Sequence, residues 1–140
     1  MKIVLTSFRD ARNWKGTSCS IAKYPPKNSD MPDFLVDVKP VYKGQNLSPY
    51  MNPENFRLKY EWILEQQRVK LIDLLCRIDD ETLVLCCWCN IESQFKKFPQ
   101  FGYKLFCHRI LLGYWVERNF PYTIVKYSDG AENPIWKRNN

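Results

Sequence analysis

The sequence lacks a long hydrophobic run, because charged residues interrupt every apolar segment. A membrane-spanning helix needs about 20 consecutive apolar residues, so we expect none. The apolar run at the N-terminus is too short for a secretory signal, and we expect a cytoplasmic protein. In that setting the six cysteines are expected to be free thiols rather than disulfides.

Several catalytic signatures are also missing. The chain has no glycine-rich phosphate loop, no Ser-His-Asp order and no paired-carboxylate motif. His108 is the only histidine, so any imidazole chemistry must use it. These absences leave open whether the protein is an enzyme.

What the chain does have is an apolar composition and an uneven charge. Its 140 residues are 45% hydrophobic, which is enough to build one domain around a core. Residues 1–53 hold eight basic and four acidic residues, a net +4, and residues 90–140 hold the same numbers. Residues 54–89 hold five and seven, a net −2. The total of +6 suits a phosphate-bearing small molecule or a nucleic acid as partner, and equally an ordinary solvated surface.

Short apolar segments alternate with longer helical patterns. We predict strands at residues 3–6, 18–22, 82–87 and 122–126, with a further short strand at 34–38. The segment 82–87 is apolar on both faces and should be central in the sheet. This alternation indicates an α/β fold with a mainly parallel sheet flanked by helices.

Two stretches have helical signals. Asn52 can cap a helix that begins at Pro53, and its apolar pattern continues to Ile78, as one helix or as two joined near Gln66. The second helix runs from about Cys107 to residue 119 and is apolar nearly all round, so it should be buried. We therefore predict a single domain over residues 1–127, with an insertion at 90–106 between strand and helix, followed by a tail at 128–140.

Polar side chains and cysteines cluster where these elements meet. The carboxyl ends of parallel strands lie at one edge of a sheet, and that edge would face the start of the second helix. The residues expected there are Thr6, Ser7, Ser20, Ala22, Lys23, Tyr24, Cys87, Trp88 and Cys89 from the strands, and Cys107, His108 and Arg109 from the helix.

These residue types suggest an anion site with a reactive thiol. Arg109 and the helix N-terminus would hold a phosphate or carboxylate. Cys87 or Cys107 would supply the thiol, and His108 the acid–base group. Ligand contacts are expected from Trp88, Cys89, Ser7, Ser20, Lys23 and Tyr24. The alternative is purely structural, with a buried cysteine, a histidine bound to a carbonyl and an arginine paired with an acid.

Metal binding and partner binding are two further alternatives. Three thiols and one imidazole match a zinc site in type, but Cys107 and His108 are adjacent and would point about 100° apart on a helix. We therefore expect no metal ligands and no cofactor, with a metal-supported structural domain as an alternative. Aromatic residues and lysines interleave over residues 95–104, which suits base stacking or a loop that closes over the site. A non-catalytic binding module, such as a phage or host-interaction protein, would use this insertion.

The order of these motifs resembles a known family. The segment 20–26, a strand ending in Cys87 and a helix opening with Cys107, His108 and Arg109 resemble the "domain of unknown function 488" family over about residues 1–119. In that family an acidic residue commonly stands at the position of Cys89, and only a few residues separate the strand from the helix. The resemblance implies an α/β fold and a shared site, and it implies no established reaction.

Overall fold

The structure is a computed structural model that describes residues 2–27, 29–48, 52–77, 82–88 and 107–127. Within these residues no helix combines the length and the apolar character needed to cross a lipid bilayer. The predicted insertion at 90–106 and the predicted tail at 128–140 lie outside the described ranges.

A four-stranded sheet with every strand parallel forms the centre of the described chain, which confirms the predicted α/β class. Its strands are β1 (Lys2–Ser7), β2 (Thr17–Ser20), β5 (Thr82–Cys87) and β6 (Ile124–Tyr127). They lie in the order β2-β5-β1-β6. The register pairs Ser7 with Cys87, so the carboxyl ends of β1 and β5 coincide.

Strand β5 is central, as predicted, because its side chains are apolar on both faces. Leu85 and Cys87 pack into the main core with the helices. Val84 and Cys86 face the opposite side, where they pack with Ala11. The alternation along the strand therefore sends the two neighbouring cysteines to different faces of the sheet.

The predicted first helix is present as two segments, α1 (Pro53–Gln66) and α2 (Arg68–Arg77), which meet at Gln67. The side chain of Asn52 accepts a hydrogen bond from the backbone N–H of Asn55 at 3.0 Å, which confirms it as the cap.

Helix α3 (His108–Asn119) is buried over most of its length, as its apolar sequence predicts. The indole N–H of Trp115 donates to Glu65 at 2.9 Å and so ties α3 to α1. This bond is the largest cause that lowers the pKa of the Glu65 carboxyl below its usual value. The second half of α3 is thereby fixed against α1.

Several predicted strand boundaries differ from the structure, and one predicted strand is wrong. Strand β2 ends at Ser20 instead of residue 22, although the N–H of Ile21 still bonds to Cys86 O at 3.0 Å. The last strand begins at Ile124 because residues 120–123 first form a turn. The strand predicted at 34–38 is wrong: a single bridge joins Asp33 to Ser20. Because β2 ends there, the following residues have no strand edge to pair with.

A hairpin that the sequence analysis missed lies in the proline-rich loop. It consists of β3 (Val41–Tyr42) and β4 (Gln45–Asn46), which pair antiparallel. The two turn residues both have positive φ, 48° at Lys43 and 81° at Gly44, as a tight hairpin requires.

Gly113 allows α3 to approach the sheet closely, and this makes a stability prediction. A Cβ at this position would lie 2.5 Å from Leu5 Cδ1 and 2.6 Å from Tyr127 Oη. Alanine gains about 1 kcal/mol of helix propensity, whereas overpacking a core costs about 1–3 kcal/mol. Because contacts of 2.5 and 2.6 Å are severe, the overpacking cost should lie in the upper half of that range, and we expect Gly113→Ala to lower the free energy of unfolding by a net of about 1–2 kcal/mol in urea denaturation.

The control for this substitution is Arg118→Ala, at an exposed position of the same helix. Its effect should stay within about 0.5 kcal/mol. A Gly113→Ala protein as stable as the wild type would show that α3 does not pack against β1 as described.

Candidate functional site

A cavity of about 200 Å³ lies at the carboxyl ends of the strands, where the sheet meets the start of α3. Its lining residues are Ala22, Lys23, Tyr24, Pro40, Leu47, Phe56, Cys87, Trp88, Cys107 and His108. Tyr24 and Trp88 are 66% and 59% exposed, so the side of the cavity that they line faces solvent. The two thiols and the imidazole are buried at its inner end.

Cys87 is in contact with a buried positive charge. The Nη1–H of Arg109 donates to Cys87 Sγ at 3.2 Å, and the Arg109 side chain is 0% exposed. A guanidinium stays charged at all physiological pH values, and its burial is tolerated when acceptors or negative charges lie beside it. The contact therefore favours the thiolate form of Cys87. Arg109 is not among the residues that line the cavity, because it lies behind the thiol.

Cys107 is the residue that precedes α3, and its backbone is extended, with φ −88° and ψ 155°. This geometry corrects the expectation that Cys107 and His108 must point about 100° apart, since only His108 is helical. The thiol of Cys107 lies 3.4 Å from His108 Nδ1. It also lies 3.3 Å from Cys87 Sγ.

The hydrogen bonds of His108 indicate which ring nitrogen carries the proton. Its Nε2 lies 3.0 Å from the carbonyl oxygen of Ile21, and a carbonyl can only accept. Nε2 therefore donates, and Nδ1 presents its lone pair to Cys107. Burial lowers the pKa of His108, and Arg109 contributes in the same direction, against the raising effects of Cys87 and the Ile21 carbonyl. The imidazole is thus neutral near pH 7.

Tyr60 closes the inner side of this cluster. Its ring packs edge-on against His108 with centroids 5.5 Å apart, and its hydroxyl donates to Val38 O at 2.7 Å. Burial raises the pKa of Tyr60 well above its usual value, and Cys107 and Cys87 add to the effect. Tyr60 therefore packs beside the site as a neutral phenol.

The same atoms offer a set of donors for a metal ion. Cys87, Cys107 and His108 place one ligand atom each within 4.8 Å of one another. The proton on Nε2 is held by a backbone carbonyl, which is the usual arrangement behind a metal-bound histidine. Sulfur and imidazole donors suit soft or borderline cations such as Zn²⁺.

The structure brings together most of the predicted ligand contacts. Lys23, Tyr24 and Trp88 line the cavity, and the indole N–H of Trp88 donates to Tyr24 O at 2.6 Å. The ammonium of Lys23 bonds to the side chain of Asn46 and lies 5.2 Å from the Tyr24 ring centroid.

Ser7 and Ser20 lie near the cavity without lining it. The hydroxyl of Ser7 bonds to Asp10 Oδ2 at 3.2 Å, and the buried Ser20 hydroxyl accepts from the backbone N–H of Ala22 at 3.2 Å. Both side chains form hydrogen bonds with the loops that follow their strands.

Two parts of the predicted site lie outside the described residues: Cys89 and the insertion at 90–106. The sequence did not predict the apolar walls formed by Pro40, Leu47 and Phe56. Phe56 was predicted only as part of a helical apolar face, and the hairpin that carries the chain to Leu47 was not predicted at all.

The neutral, buried state of His108 predicts how stability depends on pH. The folded-state pKa lies below the unfolded value of about 6.5, so the unfolded state binds more protons as the pH falls through that region. Stability should fall below about pH 6.5, by at most about 1.4 kcal/mol per pH unit. His108→Gln should remove this part of the pH dependence in urea denaturation.

Since His108 is the only histidine, the substitution isolates a single titration. Carboxylates such as Glu65 titrate at lower pH. The loss of stability that they cause in acid should therefore be the same in the wild type and in His108→Gln. An unchanged slope between about pH 5.5 and 6.5 in His108→Gln would contradict the assignment.

Comparison with known proteins identifies no relative: no family model, no curated protein and no solved structure matches the chain. The likeness to the "domain of unknown function 488" family therefore stays a prediction from the residues that carry it.

Proposed function

We propose that the protein binds a small phosphate-bearing molecule in this cavity and acts on it through the thiolate of Cys87. The observation that carries the proposal is the contact of 3.2 Å between Arg109 Nη1 and Cys87 Sγ, at a thiol that also lines the cavity. A thiolate is the nucleophilic form of cysteine, and the inner end of a cavity is where a ligand would meet it.

The contacts assign different roles to the two thiols. Arg109 supports Cys87 as the nucleophile, whereas Cys107 faces the lone pair of His108 Nδ1. In this proposal Cys107 and His108 form a proton path that delivers a proton to the leaving group or receives one from water. Arg109 acts through Cys87 rather than by holding the anion directly.

The charge and shape of the cavity support the class of ligand. Lys23 supplies a positive charge at the wall, and the N-terminus of α3 adds the positive end of a helix dipole. The wall formed by Ala22, Leu47 and Phe56 suits an apolar ring. A volume of about 200 Å³ takes part of a nucleotide, so a mononucleotide is favoured over a nucleic acid. None of the five cysteines among the described residues is in a disulfide, which suits a cytoplasmic location.

Ligand protection of Cys87 tests this proposal. The rate at which iodoacetamide modifies Cys87 would be followed by peptide mass spectrometry, with ribonucleoside 5′-monophosphates, ribose 5-phosphate and inorganic phosphate as probes. We expect at least one probe to slow the modification. Lys23→Gln should weaken that protection about tenfold or more, because a charge-assisted hydrogen bond contributes about 1.5–3 kcal/mol.

Lys126→Gln is the matched control, since Lys126 is an exposed residue on the edge strand β6. It should leave protection unchanged, and the corresponding nucleosides without phosphate should protect less. The proposal fails if no probe protects Cys87, or if Lys23→Gln and Lys126→Gln are protected alike. Protection by a short single-stranded oligonucleotide alone would point to a nucleic acid instead.

A metal ion is a second candidate occupant of the site, favoured by the convergence of Cys87, Cys107 and His108 within 4.8 Å. A bound Zn²⁺ would be held by the thiolates of Cys87 and Cys107 and by His108 Nδ1. Elemental analysis of protein purified without a tag tests it. About one equivalent of metal, lost in Cys107→Ser and kept in Cys86→Ser, is the supporting result, and less than roughly half an equivalent counts against it.

A further inference from the structure

Two thiols that come from distant parts of the chain are in contact at the inner end of the cavity. Cys87 is the last residue of β5, and Cys107 precedes α3, yet their sulfur atoms lie 3.3 Å apart. A disulfide bond is about 2.0 Å long, so the two sulfurs need to approach by roughly 1.3 Å. Both thiols line the cavity and each is 1% exposed, so a small reagent has to enter the cavity to reach them.

The two sulfurs have different neighbours, as thiol–disulfide exchange requires: a positive charge beside one and a proton acceptor beside the other. Cys87 Sγ accepts the N–H of Arg109 at 3.2 Å, which favours an attacking thiolate. Cys107 Sγ lies 3.4 Å from His108 Nδ1, which carries a lone pair because Nε2 donates to Ile21 O. One sulfur is thus prepared to attack first, and the other has a proton acceptor beside it.

We propose that Cys87 and Cys107 form a dithiol pair that undergoes exchange with small disulfides entering the cavity. The inference rests on the reactive Cys87 of the proposed function and does not depend on the phosphate-bearing ligand. The apolar walls at Leu47 and Phe56 favour disulfides with short, uncharged or apolar substituents.

The exchange takes place in two balanced steps. The Cys87 thiolate attacks one sulfur of the small disulfide, forms a mixed disulfide and releases the first thiolate. Cys107 then attacks Cys87 Sγ while its proton passes to His108 Nδ1, and the second thiolate leaves. The small disulfide is reduced to two thiols, and the protein pair is oxidised to one internal disulfide.

Oxidation of the pair would also regulate the site. The internal disulfide consumes the Cys87 thiolate, so covalent chemistry on any other ligand stops until a thiol reductant restores the pair. The cavity itself remains, and reversible binding of a phosphate-bearing molecule need not be lost. Thiol chemistry and ligand binding at the cavity can therefore be separated by experiment.

The other cysteines provide matched controls. Cys86 is adjacent to Cys87 but packs on the opposite face of the sheet, where burial raises its pKa to about 12. Cys76 is exposed and would form its own adduct, so Cys76→Ser serves as the parent protein. Cys89 lies outside the described residues and, two positions after Cys87, is the rival partner.

The test treats the full-length Cys76→Ser protein with bis(2-hydroxyethyl) disulfide, after incubation with a chelator, and analyses it by intact mass and peptide mapping. We expect the mass to fall by two hydrogens, a linked peptide that joins Cys87 to Cys107, and release of two equivalents of 2-mercaptoethanol. Adding Cys107→Ser should stop the reaction at a mixed disulfide on Cys87, with one equivalent released. Adding Cys86→Ser or Cys89→Ser should leave the parent result unchanged.

Three results would overturn the dithiol proposal: a bond from Cys87 to Cys89, ring closure that survives Cys107→Ser, or an adduct on Cys87 that never closes in the parent. The linked peptide in the parent decides the question even if Cys107→Ser does not fold. Exchange without protection by any phosphate-bearing probe would leave this proposal standing and remove the proposed ligand class. If a phosphate-bearing probe protects Cys87 but no disulfide forms between Cys87 and Cys107, the proposed ligand class stands and the dithiol proposal fails.

Discussion

The contact between Arg109 and Cys87 is the interaction on which the rest of the site depends. It places a buried guanidinium 3.2 Å from a thiol at the end of the central strand, and it can form only if the first turn of α3 is pressed against the edge of the sheet. Gly113 permits that approach further along the helix, because it leaves room for side chains of β1 and β6. The packing of α3 thereby sets the charge environment of the thiol.

A second constraint is the extended backbone of Cys107, which turns its thiol back toward His108 and Cys87. If Cys107 belonged to the helix, the three donor atoms would diverge. As observed, one continuous path of polar contacts runs from Arg109 through both sulfurs to His108 and the carbonyl of Ile21. Nucleophilic chemistry, disulfide exchange and metal binding would all use these atoms. They differ in what reacts with the sulfur of Cys87: a phosphate-bearing molecule, a small disulfide or a metal ion.

Much of this arrangement could be predicted from the sequence, because strong local signals produced it. The apolar segment 82–87 became the predicted central strand, the cap at Asn52 began a helix, and the apolar helix after Cys107 is buried. The contact between the side chains of Cys107 and His108 could not be predicted. It depends on the extended backbone of Cys107 at the helix cap, which the spacing of residues along the sequence does not reveal. The hairpin near Lys43 was missed because its strands of two residues carry almost no pattern.

The state of the Cys87 thiol is the central claim, and ultraviolet difference titration of thiolate absorbance tests it most directly. Our account predicts a thiolate signal at about pH 7 that is absent in Cys87→Ser, reduced in Arg109→Met and unchanged in Cys86→Ser. Folding of each variant would be checked by circular dichroism, with Arg109→Lys as the variant that keeps the charge. If wild-type protein shows no Cys87-dependent thiolate absorbance near pH 7, the account is contradicted.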